Sequence, residues 1–177
     1  FRRVLFRSPN AYKLYEALTY ASGMLAAVLT PRFAALWATD RAAHRRLALV
    51  GTAGAFALGA ILAAITWMAA PTAIGLLFPP DYLEGVRALR WLGLGLPLVF
   101  AIWILHGIAM SIFDAALLVR ATLVSLVVNV AANLWLIPAW HRDGAAAATV
   151  LGEAVAFVLL ATTLARRLRH QIGRAHV

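Results

Sequence analysis

Long apolar stretches separated by short polar ones dominate the chain. Leu47 to Pro80 holds no Asp, Glu, Lys or Arg, and 91–113, 121–140 and 144–165 are nearly as clean. Each is long enough to cross the ~30 Å hydrocarbon core of a bilayer as an α-helix. A further stretch at 11–37 has the same length but carries Lys13, Glu16 and Arg32. The pattern predicts an all-α, multi-pass transmembrane helix bundle with about five spans, at 11–37, 47–69, 86–110, 117–139 and 144–166. The runs are too long and recur too often for a signal peptide.

Breakers inside these runs refine the expectation. Pro71 should end the spanning part of the second helix and leave 72–78 as a short interfacial helix. Pro97, beside Gly93 and Gly95, should kink the third. Gly51, Ala55 and Gly59 recur every four residues, which sets a small-residue face for close helix packing. Between the first and second spans lie Asp40, Arg41, His44, Arg45 and Arg46; Arg120 lies between the third and fourth; Arg166, Arg167 and Arg169 follow the fifth. The opposite side carries Asp81, Glu84, Arg87, Arg90, Arg142 and Asp143 and is nearly balanced. The excess of Arg places the first side, and the C-terminus, in the cytoplasm.

Composition agrees with a bilayer as solvent. Hydrophobic residues are 63% of the chain and charged residues 13%, against about 25% charged in a soluble domain. Both ends look foreign to the rest. Residues 1–8 and 171–177 can be encoded by DNA strings of which the second, apart from its first base, matches the reverse complement of the first, as translated sequencing adaptor would. The expectation is therefore artefact at 1–8 and 171–177, a membrane domain at 9–170, and a reading frame open at both ends. Arg2, Arg3, Arg7 and Arg174 fall in those tails, so the formal net charge drops from +9 to +5. The remaining Arg residues are spread between apolar segments, which argues against a nucleic-acid partner.

Chemistry-bearing residues are few. Cys is absent, so no disulfide or thiolate site exists. The five His residues form no pair at metal-ligand spacing and read as interfacial; no metal or cofactor is expected. Asn129 and Asn133 share a face of the fourth span, where amides either glue helices together or touch a substrate. Glu153 lies about nine residues into the fifth span, as a functional group or a carboxyl locking helices together. Arg32 either snorkels to the interface or lines a cavity. Lys13 and Glu16 have ion-pair spacing. Asp114 should cap the loop before the fourth span. Trp37, Trp67, Tyr82, Trp91, Trp135 and Trp140 read as interfacial anchors. No Ser-His-Asp set, phosphate loop or large polar loop suggests an enzyme.

The succession of segments resembles the C-terminal lobe of the polysaccharide and oligosaccharide flippases, in the superfamily of multidrug and toxin extruders. Ala11-Tyr12-Lys13-Leu14-Tyr15-Glu16 with Thr30-Pro31-Arg32-Phe33 is one such segment. Leu76-Leu77-Phe78-Pro79-Pro80-Asp81-Tyr82 is similar to an outer turn of that family. Asn129-Val130-Ala131-Ala132-Asn133-Leu134-Trp135-Leu136-Ile137-Pro138 and Gly144-Ala145-Ala146-Ala147-Ala148-Thr149-Val150-Leu151-Gly152-Glu153 complete the order. Pro79, and His141-Arg142-Asp143 before Gly144, depart from the family pattern. The resemblance implies two lobes that alternate access around a central cavity, a lipid-linked oligosaccharide as substrate, and an N-terminal lobe as partner. It also implies Arg32, Asn129, Asn133 and Glu153 as candidates lining the path. Drug or peptidoglycan-precursor export, or a non-transporting scaffold or enzyme subunit, are the alternative readings.

Overall fold

In a computed structural model the described residues are 9–77, 79 and 85–173, and among them every element is helical. The order is α1 (Pro9–Thr39), α2 (Arg41–Leu77), α3 (Gly85–Gly93), α4 (Leu96–Ser111) and α5 (Ala115–Gly173). The expected turn at 78–84, with Tyr82, lies almost wholly outside the described residues, as do the terminal segments 1–8 and 174–177.

Three helices, α1, α2 and α5, are long and apolar enough to cross a membrane, and α3 with α4 makes a fourth if that bent pair is one span. In each of the three, 17% of the apolar window is buried inside the bundle. Leu49, Ile61, Met68, Val127, Leu134 and Trp135 all face outward. A surface this apolar suits lipid.

The second helix departs from its expected course at both ends. It begins at Arg41 because Asp40 caps it: Oδ1 of Asp40 accepts from the Ala43 amide at 2.9 Å, satisfying an amide orphaned by the helix start. The basic run expected between the first two spans thus lies within the first two turns of α2. At the other end α2 continues through Pro71 to Leu77. Pro71 lacks the amide that would bond to the carbonyl of Trp67, four residues earlier. Arg90 of α3 supplies the replacement, its Nε donating to Trp67 O at 3.1 Å, with the guanidinium 5.3 Å from the Trp67 ring. A neighbouring helix therefore repairs the break that Pro71 makes.

The expected third helix is two, α3 and α4, joined at Leu94–Gly95 with a 43° bend. Pro97 stands in the first turn of α4 rather than inside a continuous helix. α4 is the central element, touching α1, α2 and α5. Leu96, Ala101, Ile104 and Ala109 on it are fully buried. The small face of α2 meets it as the spacing predicts: a Cβ on Gly59 would fall 2.6 Å from Leu96 O and from Pro97 Cα.

The expected fourth and fifth helices are the arms, 115–140 and 142–173, of one hairpin within α5. It turns at His141, whose φ of 51° is non-helical. The arms return antiparallel, so that Gly144 abuts the Leu136 carbonyl and Gly152 abuts Ser125 and Asn129. Gly at these contacts lets the two backbones approach. At the opposite end Asp114 caps the first arm through the Leu117 amide (3.3 Å) and forms an ion pair with Arg167. Arg87 of α3 pairs with Asp143 beside the hairpin tip at 2.6 Å.

Candidate functional site

The carboxyl of Glu153 enters the bundle from the second arm of α5. The hydroxyl of Tyr15, on α1, donates a hydrogen bond to its Oε1. Tyr15 is 8% exposed and belongs to the main core. The other carboxyl oxygen, Oε2, is buried and has no hydrogen-bond partner. It rests against Gly95, in the break between α3 and α4, where a Cβ would collide with it. That break is the start of α4, and the positive end of a helix dipole favours an acidic group there. The absence of a side chain at Gly95 gives the carboxyl its space.

Two helices, α1 and α5, and the α3–α4 break thus converge on one carboxyl. One of its oxygens is held and oriented by a phenol. The other is buried against Gly95 with no hydrogen-bond partner. Amide, hydroxyl and carboxyl groups inside a bilayer are satisfied by neighbours or by what passes between them.

Asn129 and Asn133 are joined to each other, Nδ2 of Asn133 donating to Oδ1 of Asn129 at 3.0 Å. Ser125, one turn before, donates to Gly152 O at 2.8 Å. This polar ridge faces the second arm at Gly152. The next residue in the chain, Glu153, turns instead toward Gly95 and Tyr15. Arg32 is brought to neither group; it is exposed on α1, seventeen residues beyond Tyr15, about 25 Å along the helix. Lys13 and Glu16 are also exposed, and no ion pair joins them among the described residues.

A second buried polar group was hidden in the basic run. His44 is fully buried. Its ring stands edge-on to Phe33 and Trp37, with centroids at 5.8 and 5.1 Å. Ser111 Oγ donates to Ile108 O at 2.7 Å, so it accepts from His44 Nε2 at 3.1 Å. That places the ring proton on Nε2 and leaves Nδ1 buried without a partner. The Arg41 guanidinium lies over the Trp37 ring, 3.6 Å from its centroid. Among the described residues no group of three or more His, Cys, Asp or Glu is placed to hold a metal ion.

Sequence reasoning singled out Glu153 but not Tyr15 or Gly95. A carboxyl in a span calls for a donor from another span, but Tyr15 was one among many hydroxyl-bearing residues of the other spans; Gly95 had read only as a kink residue. No protein-family model, curated protein or solved structure matches the chain.

Proposed function

We propose that this chain is the last five transmembrane helices of a two-lobe exporter that moves a lipid-linked oligosaccharide or polysaccharide precursor across the cytoplasmic membrane. In this reading α1, α2, the bent pair α3–α4 and the two arms of α5 each cross once, and a first lobe of the same protein completes the central cavity. The observation that carries the reading is Glu153, with one oxygen oriented by Tyr15 and the other unpartnered inside the bundle. Such a group suits recognition of sugar hydroxyls, which need acceptors in a low-dielectric path. The order of sequence segments along 9–170 supports the same assignment.

Charge supports the orientation. Arg41, Arg45, Arg46, Arg166 and Arg167 gather at one end of the bundle with Asp40 and Asp114, whereas the other end carries Arg87, Arg90 and Arg142 with Asp143. The richer end belongs in the cytoplasm, which also puts the C-terminus there.

Expressing the intact reading frame in a strain deprived of its own lipid-linked sugar flippase tests the proposal. Surface polysaccharide should return, and Glu153→Gln should lower the export rate roughly tenfold, equivalent to ~1.4 kcal/mol. A membrane-inserted protein that restores no polysaccharide rejects the reading. Restoration that is indifferent to Glu153→Gln makes the carboxyl a helix lock instead.

A further inference from the structure

A second feature lies at the basic end of the bundle, away from Glu153. α2 and the second arm of α5, with α4 behind them, border a groove of about 600 Å³. Its walls are apolar except for Arg45 at one end and the hydroxyl-bearing Thr52 along its length. α2 and the second arm run antiparallel here. Arg45 and Leu168 line the groove toward the basic end of the bundle, and Phe56 and Phe157, with ring centroids 6.2 Å apart, line it further in. Along either helix this is eleven residues, about 16 Å of rise. One leaflet of hydrocarbon is about 15 Å thick.

On the membrane reading, a groove of this length matches one leaflet and sets Arg45 at the level of that leaflet's phosphates. Arg45 is exposed and makes no hydrogen bond or ion pair among the described residues. Arg46 and Arg166 are exposed at the same end, which adds to an electrostatic surface attractive to anionic headgroups. We propose that this groove binds an acyl chain of an anionic phospholipid, with the lipid phosphate on the Arg45 guanidinium. Charge complementarity at the basic end and the match of length to a leaflet select this occupant. The inference rests on the membrane reading of the chain and not on transport.

The test is photolabelling of the protein in nanodiscs by phosphatidylglycerol carrying a diazirine in its acyl chain, compared with phosphatidylcholine of identical chains. Peptides spanning 45–56 and 157–168 should take up at least roughly threefold more label from the anionic lipid. Arg45→Gln should reduce that ratio to near one, whereas Arg87→Gln, at the other end of the bundle, should leave it intact. Ala161→Phe should fill the groove and lower labelling by both lipids; if that variant does not fold, the Arg45→Gln comparison decides alone. Equal labelling by the two lipids overturns the proposal. So does a preference that survives Arg45→Gln, or label confined to other surfaces because a protein segment covers the groove. Displacement of the label by a polyprenyl monophosphate more readily than by unlabelled phosphatidylglycerol likewise overturns it. A failure of sugar export in the complementation assay would not alter these labelling outcomes.

Discussion

Tyr15 and Glu153, 138 residues apart in sequence, are joined by a hydrogen bond from phenol to carboxyl inside the bundle. The bond ties the first helix to the last, which otherwise meet chiefly through α4. Removing it should be felt both in stability and at the site.

Tyr15→Phe is expected to destabilise the chain by about 1–2 kcal/mol, within the range for interhelical hydrogen bonds in membranes. In a Glu153→Gln background the same change should cost less, because the carboxyl that the phenol is fitted to has already been replaced by an amide. A double-mutant cycle by thermal unfolding in detergent measures the difference; additive effects would mean that the two groups do not act together.

Gly95→Ala should displace the Glu153 carboxyl, since the new methyl would occupy the position of Oε2. Overpacking of this kind costs about 1–3 kcal/mol. Combining it with Glu153→Ala should recover most of the loss. No recovery would show that the strain lies in the α3–α4 backbone and not at the carboxyl.

The repair of Pro71 by Arg90 predicts a suppressor. Arg90→Leu leaves the Trp67 carbonyl without a donor and should cost about 1–3 kcal/mol. Pro71→Ala restores the amide within α2, so Arg90→Leu should be much milder in that background. Unfolding midpoints of the four proteins decide it.

Glycines of α2 should split by environment. Gly59→Ala meets Leu96 O and Pro97 at 2.6 Å, whereas a Cβ at Gly54 meets nothing within 4 Å. The first is expected to destabilise by about 1–3 kcal/mol. The second should be neutral or stabilising by up to about 1 kcal/mol, the helix-propensity gain of Ala over Gly. Similar melting shifts for both would contradict the packing described.

The two ion pairs should behave differently. Arg167→Ala strips the partner from Asp114, whose side chain is 6% exposed, and should cost about 1–3 kcal/mol. Arg87→Ala removes a pair whose arginine is 77% exposed, and its effect should stay within about 1 kcal/mol. Chemical denaturation of the two variants in parallel, with added salt as a check on screening, tests this contrast.

The sequence by itself determined that the chain is helical and that its apolar stretches are membrane length, because composition and run length are sums over neighbouring residues. It also marked Asp114 as a cap, the small face of α2 as a packing surface, and Glu153 as a carboxyl out of place in hydrocarbon. Only the tertiary structure decided what completes each local pattern. Pro71 reads as a helix end until Arg90, on another helix, reaches Trp67 O. The Asp40–Arg46 run reads as a loop until Asp40 caps it and His44 is drawn inward between Phe33, Trp37 and Ser111. Glu153 acquires its phenol from α1 and its space from Gly95, neither of them close to it in the chain. The physical reason is common to all three: inside a bundle, the partner that satisfies a polar group is chosen by helix packing and not by sequence distance.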